Sequence, residues 1–301
     1  MRVLVTGASG FLGGFACEEL RARGHAVTAL VRRPGSAPVG CAEVHADLAG
    51  EPPALAEAVG AAQPDCVLHL AAEIATQRDL ARIAAVNVVG TGHLLEACTA
   101  AGSPKVVFAS TVVTGDAHGA VLDEDSVLPV ETAYGRSKQE GERLLRASGL
   151  PGVVVRPSHV YGPGGWFAEE LVKRLRQPGR FAVVGRGENW WDVVHVEDVA
   201  RALCDAAESA PAGSTFHVVD DAPIRLADFV ATIASALRIG APRHVPVWIA
   251  RIAAGSDPVA AVTRSARSSN ARVKRELGWA PRYATAAEGV PAAVAALGAA
   301  R

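Results

Sequence analysis

Three side chains in the middle of the sequence have types and spacing suited to moving a proton: Ser110, Tyr134 and Lys138. Tyr134 and Lys138 stand four residues apart in Glu131-Thr132-Ala133-Tyr134-Gly135-Arg136-Ser137-Lys138, so on a helix both project from one face. A phenol is a poor acid or base near neutrality, with a reference pKa of about 10, unless a nearby positive charge favours the phenolate. An ammonium one turn away supplies that charge, and the pair can then pass a proton to or from an oxygen of a bound molecule. Ser110 closes a strand-like run, Lys105 to Ala109, and its hydroxyl can hold the same oxygen. Tyrosine and lysine meet at this spacing often by chance, so the elements that would position them carry the weight.

Those elements begin at the first residues. The apolar run Val3 to Val5 meets glycines at 7, 10 and 13 and passes into helical spacing at Phe11, Leu12, Phe15, Ala16 and Leu20. Strand, glycine turn and helix in that order make a cradle for a dinucleotide. Gly7 permits the turn, Gly10 removes a side chain where a pyrophosphate nears the backbone, and Gly13 lets the helix pack close to the sheet. The N–H groups at the helix start, from Phe11 and Leu12 onward, face the phosphates.

A second strand, Ala26 to Val31, ends without an acid and leads into Arg32 and Arg33. An acid there binds the ribose 2′-hydroxyl of NAD, whereas an arginine accommodates the 2′-phosphate of NADP. NADP is therefore the expected cofactor, with NAD possible. Asp47 and Leu48 are candidate adenine contacts, Asp47 serving equally well to start a helix. The run Cys66 to Leu70 reads as a buried strand closing in Ala71 and Ala72, small enough for a cofactor to lie against, and His69 within it reads as a hydrogen-bonded core histidine.

Strands alternate with helices through Arg156, which predicts an α/β fold: a doubly wound parallel sheet covered on both faces, with ligands at the carboxyl ends of its strands. Residues 1–156 would form the dinucleotide-binding domain, joined by about 193–220. Residues 157–192 and 221–301 would form a smaller C-terminal lobe over the ligand edge. Helices are expected at Trp166–Arg176, Leu226–Leu237, Val247–Ala254 and Asn270–Leu277. Trp166, Trp190 and Trp191 line an apolar pocket or fill the core of that lobe.

Composition narrows the class. A chain of 301 residues, 50% hydrophobic and with net charge −1, buries a full core and has no basic face for nucleic acid. The last sixty residues are locally basic, at Arg251, Arg264, Arg267, Arg272, Lys274, Arg275 and Arg282, which reads as a solvated helix face. Five scattered cysteines without a C-x-x-C pair suggest reduced thiols in a cytoplasmic protein and no metal. No uninterrupted apolar stretch suggests a membrane span.

With these residues in place the chain resembles the extended short-chain dehydrogenase/reductases, the NAD-dependent epimerase/dehydratase family. The resemblance is carried by TGASGFLGG at 6–14, HADL at 45–48, LHLAAE at 68–73, NVVGTGHLLEA at 87–97, FASTVVTG at 108–115, YGRSK at 134–138, RPSHVYGPG at 156–164, VVHVEDVARAL at 193–203 and SNARVKRELGW at 269–279. It implies Tyr134 as general acid/base and Lys138 as ribose ligand. Ser110, five before Gly115, matches the substrate-orienting hydroxyl, with Thr111 as the alternative. Asn87, Leu70 and Pro157 fall at cofactor positions, and Glu73, His159 and Trp166 fall toward the substrate. A homodimer acting on a small molecule is the family expectation.

The departures are as informative. His159 stands where many nucleotide-sugar enzymes carry a diphosphate-binding asparagine, and residues 255–262 lack the arginine those enzymes place there; Arg264 or Arg267 could replace it. No acid follows Ser110, which disfavours dehydration. The V-R-R-P and V-P-V-W-I-A-R segments resemble the ketone-reducing branch, similar to dihydroflavonol reductases and 3β-hydroxysteroid dehydrogenases. The expected activity is NADP(H)-dependent interconversion of a carbonyl and an alcohol. A nucleotide-sugar 4-epimerase or 4-ketoreductase is the alternative, and a non-catalytic redox sensor is the rival from another class.

Overall fold

The computed structural model describes residues 1–74, 77–177, 179 and 181–299. In chain order its strands are β1 (Arg2–Thr6), β2 (Ala26–Val31), β3 (Ala42–His45), β4 (Cys66–His69), β5 (Lys105–Ala109), β6 (Val121–Leu122), β7 (Gly152–Pro157), β8 (His159–Tyr161), β9 (Ala182–Val184), β10 (Val193–His195), β11 (Thr215–Val218), β12 (Arg243–Val245) and β13 (Arg267–Ser268). Seven of them form one sheet in the order β11-β7-β5-β4-β1-β2-β3, with every neighbouring pair parallel. The strands are apolar almost throughout because both faces are covered. Val3, Val5, Leu68, Val107, Val153 and Val155 pack on one side with helix α1 (Phe11–Ala22) and the Val196–Ser209 helix. Leu4, Val67, Val106, Phe108 and Val154 pack on the other with α2 (Pro52–Ala62) and with the Gly90–Ala100 and Ala133–Ala147 helices.

β1 lies between β4 and β2, so the chain changes direction across the sheet beside β1, and the crevice at that point is where a parallel sheet binds its ligand. A continuous helical run from Leu80 to Ala100 crosses behind the crevice: α3 (Leu80–Ala84), a π-helical turn at Ala85–Val89, then α4 (Gly90–Ala100). This run is long and apolar enough, by length and composition alone, to cross a membrane, contrary to expectation. Half of it is buried in the protein, and it carries the buried polar Asn87 and Thr91 inward. Helix α5 (Ala133–Ala147), capped by the Thr132 hydroxyl on the Gly135 N–H, completes this side.

The C-terminal segments build a third core around Tyr161, Phe167, Trp191, Phe229, Ile233 and Val290. Two C-terminal helices, Ser256–Thr263 and Ala286–Ala299, the latter part of this core, are absent from the sequence expectations. In the second of these, Gly289 and Pro291 look like breakers. Gly289 is required because a Cβ there would fall 2.1 Å from the Tyr161 hydroxyl.

Between sheet and third core lies a polar junction. The Asp198 carboxylate accepts from the N–H groups of Arg282 (2.6 Å) and Tyr283 (3.1 Å), pinning the loop that enters the last helix. Asp220, beside it, is buried, and among the described residues neither of its carboxyl oxygens has a hydrogen-bond partner. Burial first, then the neighbouring Asp198 and Asp221 charges, push its pKa up to about 8.

This packing makes two measurable differences. A Cβ on Gly13 would lie 2.1 Å from the Gly7 carbonyl oxygen, whereas one on Gly14 meets nothing within 4 Å. Gly13→Ala is expected to lose about 1–3 kcal/mol in chemical denaturation, and Gly14→Ala to gain about 0.5–1 kcal/mol; equal effects would contradict the packing. Asp220 has a folded pKa near 8, above the unfolded value of about 3.9, so its contribution is full at low pH and is lost as pH rises through that window. Thermal melts should show Asp220→Asn gaining stability over the wild type as pH increases toward 8, with no gain near pH 4.

Candidate active site

Gly7, at the end of β1, has φ of +71°, and a Cβ there would stand 2.7 Å from the Ala71 nitrogen at the end of β4. Gly13 touches the Gly7 carbonyl rather than the sheet, so the glycines bring the helix onto its own turn. Gly10 donates to the Gly7 oxygen at 2.9 Å and is an extended N-cap without a side chain. The first-turn N–H groups of Phe11, Leu12 and Gly13 therefore point out of the helix toward the crevice. This backbone cradle, which a Cβ would obstruct, fits the diphosphate of a dinucleotide. The Phe11 ring serves packing: Gly162, Gly164 and Gly165 close over it, and a Cβ on any of them would come within 3.3 Å of the ring. The glycines of Y-G-P-G-G are the sequence signal for this contact.

Arg32 and Arg33 lie exposed just past β2, in a turn held by Glu43 accepting from the Gly35 N–H at 3.0 Å. Asp47 is half-buried and accepts from the Ala49 N–H, leaving one carboxyl oxygen free of that bond. The Leu48 side chain is buried beneath Gly90, where a Cβ would meet it at 2.8 Å, so only its backbone is left to meet an adenine. Leu70, Ala71 and Ala72 line the β4 end half-exposed.

Behind this edge runs a directed chain of hydrogen bonds. The Ala71 N–H donates to Thr6 Oγ1 (3.2 Å), and Thr6 Oγ1 pairs with His69 Nδ1 (2.8 Å). His69 Nε2 pairs with Thr91 Oγ1 (2.9 Å), whose own proton goes to the Asn87 carbonyl (2.7 Å). Thr91 can therefore only accept from His69, which places the imidazole proton on Nε2 and makes Nδ1 the acceptor. Burial, then the Lys138 charge, push the His69 pKa down to about 3, so it stays neutral.

Asn87 continues the chain and departs from its expected cofactor role. Its Oδ1 accepts from the Glu73 N–H (2.7 Å), and its amide donates to the Glu73 carbonyl (2.9 Å) and to Ser137 Oγ (3.0 Å). Ser137 Oγ in turn donates to the Tyr134 carbonyl (2.8 Å). Both amide protons are used, so Asn87 clamps the β4 loop to α5. The Glu73 side chain is likewise engaged, accepting from Arg82 at 2.8 Å and Gln77 at 3.3 Å, with the Arg32 charge near enough to favour its ionised form.

Tyr134, Lys138 and Glu142 follow at intervals of four on α5. Lys138 is buried with its Nζ 4.2 Å from the centre of the Phe108 ring, and burial pushes its pKa down to about 7. Burial pushes Tyr134 up to about 12. In the protein alone burial favours the protonated phenol; the depression expected from the lysine and a cationic nicotinamide belongs to the loaded site. Ser110 Oγ is buried, approaching the Glu142 carboxylate without a full hydrogen bond. Glu142 itself is held bidentately by Arg156, at 2.8 and 2.7 Å. Thr111 follows on the opposite side of the strand end, donating to the Pro157 carbonyl (3.2 Å) and accepting from the Val113 N–H (2.9 Å).

His159 stacks on Trp191 with ring centres 3.8 Å apart and donates from Nδ1 to the Asp192 carbonyl (2.8 Å). Its free Nε2 faces Arg264 Nη2 at 3.4 Å. Trp166, its indole N–H on the Val160 carbonyl, joins Trp191 in the wall of an apolar cavity of about 200 Å³ whose other sides include Leu171, Phe181, Phe229 and Val262. The sequence places Arg264 on a solvated helix face, yet it is buried, because the segment after Thr263 turns inward beneath Gly115. Among the described residues no group of three or more His, Cys, Asp or Glu is placed to hold a metal.

Comparison with known proteins gives this geometry its context. A family model described as the NAD dependent epimerase/dehydratase family matches residues 3–219. A 3-diazoavenalumate denitrifying reductase of a Streptomyces species is 35% identical over 303 residues, covering 96% of this chain and 99% of that protein. A 2-alkyl-3-oxoalkanoate reductase of Stenotrophomonas maltophilia is 32% identical over 262 residues, covering 81% and 77%. Among solved structures, a UDP-glucose 4-epimerase of Thermus thermophilus in complex with NAD superposes with a TM-score of 0.82 at 27% identity, covering 100% of both chains. With a family model that runs from the first strand of the sheet to its last and relatives of this likeness, the protein belongs to the NAD-dependent epimerase/dehydratase family and is an NAD(P)-dependent enzyme of the extended short-chain dehydrogenase type.

Proposed function

We propose that the protein is an NADP(H)-dependent reductase that converts a ketone or aldehyde on a small, largely apolar molecule to an alcohol. The observation that carries this reading is the placement of Tyr134, half-buried, and Lys138, buried, one turn apart on α5, the helix that Asn87 ties to the loop after β4, beside the glycine turn. A bound reduced nicotinamide supplies hydride to the carbonyl carbon. Tyr134 donates its proton to the oxygen on which negative charge develops, and a phenol held protonated is the form that task needs. Lys138, titrating near neutrality, replaces that proton and binds the cofactor ribose. The cradle formed by Gly7, Gly10 and Gly13 holds the diphosphate on N–H groups. Arg32 and Arg33, exposed past β2, support the choice of NADP.

The hydroxyl that steadies the substrate oxygen is assigned to Thr111 in place of Ser110. Both side chains are buried, Ser110 beside the Glu142 carboxylate and Thr111 with its proton on the Pro157 carbonyl, from which it would turn to reach a substrate. The 35% identity to a denitrifying reductase favours a second reading, in which hydride reaches a carbon that bears a diazo group in its cationic, diazonium form. The new C–H bond replaces the C–N bond, whose electron pair leaves with N₂, so the step needs no proton from Tyr134. The two readings therefore differ in their need for the phenol.

A screen of ketones, aldehydes and diazo carboxylates with NADPH tests both. For carbonyl reduction, Tyr134→Phe should lower kcat by about 10²- to 10⁴-fold with dinucleotide binding retained, and Thr111→Ala should cost about tenfold where Ser110→Ala is nearly silent. Full carbonyl turnover by Tyr134→Phe would sink the reductase mechanism, and turnover confined to diazo compounds would select the second reading. For the cofactor, fluorescence titration of the Arg32→Gln, Arg33→Gln double variant should show NADP binding weakened about 10- to 100-fold with NAD binding unchanged. Tighter binding of NAD than NADP by the wild type would overturn the NADP assignment.

A further inference from the structure

Among the described residues two arginines are buried, and they are treated in opposite ways. Arg156 is neutralised by Glu142 through a bidentate pair. Arg264 is 6% exposed, and among the described residues no carboxylate pairs with it. Its Nε has no partner there, Nη1 makes one long bond of 3.3 Å to the Gly115 carbonyl, and Nη2 meets only the neutral His159 ring. A guanidinium carries five N–H donors in a fork shaped for a carboxylate, and a buried charge left unpaired is expensive. Burial pushes its pKa down only to about 10, so it is charged at neutral pH. Asp192, Asp116 and Glu131 lie near enough to favour that charge, yet none bonds to it.

The surroundings say what would complete the site. Gly115 ends the segment that begins at Ser110 and Thr111, and Thr114 in that segment packs against Gly135, next to Tyr134. On its other side Arg264 borders the Trp191 ring, at 5.7 Å from the ring centre, and Trp191 and Val262 wall the apolar cavity of about 200 Å³. The guanidinium thus stands between the reacting end of the site and an apolar chamber. We propose that Arg264 is the substrate anchor and binds a carboxylate, so that the substrate is a carbonyl compound bearing one carboxylate and an apolar chain.

A single monoanion is favoured over a diphosphate by the count of cations. Arg267 is committed to the Gly119 carbonyl and Arg225 to the Glu188 carbonyl, each stacking on Trp190, and Arg174, which lines the chamber, pairs with Glu170, which leaves Arg264 alone among these four to face the site. Asp192, pushed up to about 7 by burial, is able to hold a proton beside an incoming carboxylate. The chemical identity of the substrate rests on the reductase reading given above; the anchor itself does not.

The test separates the two. Tryptophan fluorescence titration of the wild type with decanoate, methyl decanoate and UDP reads the anchor without any turnover. Decanoate should bind at least about tenfold more tightly than its ester, and Arg264→Gln should abolish that preference while NADP still binds. Equal affinity for acid and ester, an unchanged preference in the variant, or UDP binding more tightly than decanoate would each overturn the proposal. Should Arg264→Gln fail to fold, the acid-to-ester comparison on the wild type decides alone. The kinetic arm compares 3-oxodecanoate with its methyl ester. A raised KM for the acid only, in Arg264→Gln, supports the anchor, and equal reduction of acid and ester by the wild type removes it. Decanoate binding through Arg264 without reduction of either oxo compound would leave the anchor standing and remove the reductase reading.

Discussion

The carboxyl edge of the sheet is organised around a histidine that must remain neutral. His69 accepts from Thr6, at the root of the glycine turn, and donates to Thr91, on the helix that carries Asn87. Protonation would turn Nδ1 into a second donor and set it against the Thr6 hydroxyl proton, so the chain of bonds exists only for the neutral ring. Desolvation and the nearby Lys138 charge keep it so. The same low-dielectric surroundings that strengthen these bonds would make any break in them costly.

That chain joins parts of the site that lie far apart in sequence. Ala71, beside Gly7, is its first donor, and the Tyr134 carbonyl is its last acceptor by way of Asn87 and Ser137. The cradle for the dinucleotide and the helix that presents the phenol are therefore set in one frame rather than carried on separate loops. Asn87 sits in a π-helical turn, where one extra residue in the turn shifts the register of side chains; such turns recur at functional positions for that reason. The turn lets Asn87 face Glu73 and Ser137 while the helix on either side keeps its packing.

The sequence makes the architecture plain where apolar period and glycine spacing coincide, as at Val3–Val5 and Gly7, Gly10 and Gly13. Tyr134 and Lys138 are legible for the same reason, since a spacing of four on a helix fixes a shared face. Ser110 and Thr111 are not separable, because both end the same strand and both are buried, and only the position of Glu142, set by α5, tells which lies beside a carboxylate. Leu48 looks like a surface contact because nothing local reveals that Gly90 packs on it. The last helix is hidden by Gly289 and Pro291, and the glycine among them is dictated by the Tyr161 hydroxyl far away in the chain.

Arg264 shows most clearly where local pattern fails. In a stretch rich in arginine and lysine, each cation has the same prior of lying in solvent, and no spacing distinguishes the one that the fold takes inside. Its burial is a consequence of the turn after Thr263 and of the Gly115 carbonyl that receives it. Retaining an unpaired cation there opposes folding, since the chain could place a neutral side chain in the same space at lower cost. Arg156 shows that the fold can neutralise a buried guanidinium where charge has only to be accommodated. An interior cation without an anionic partner among the described residues, between the Gly115 carbonyl and the Trp191 ring, fits a partner that arrives with the ligand. Binding energy gained at such an anchor, remote from the carbonyl, is then available to orient the reacting end against Tyr134.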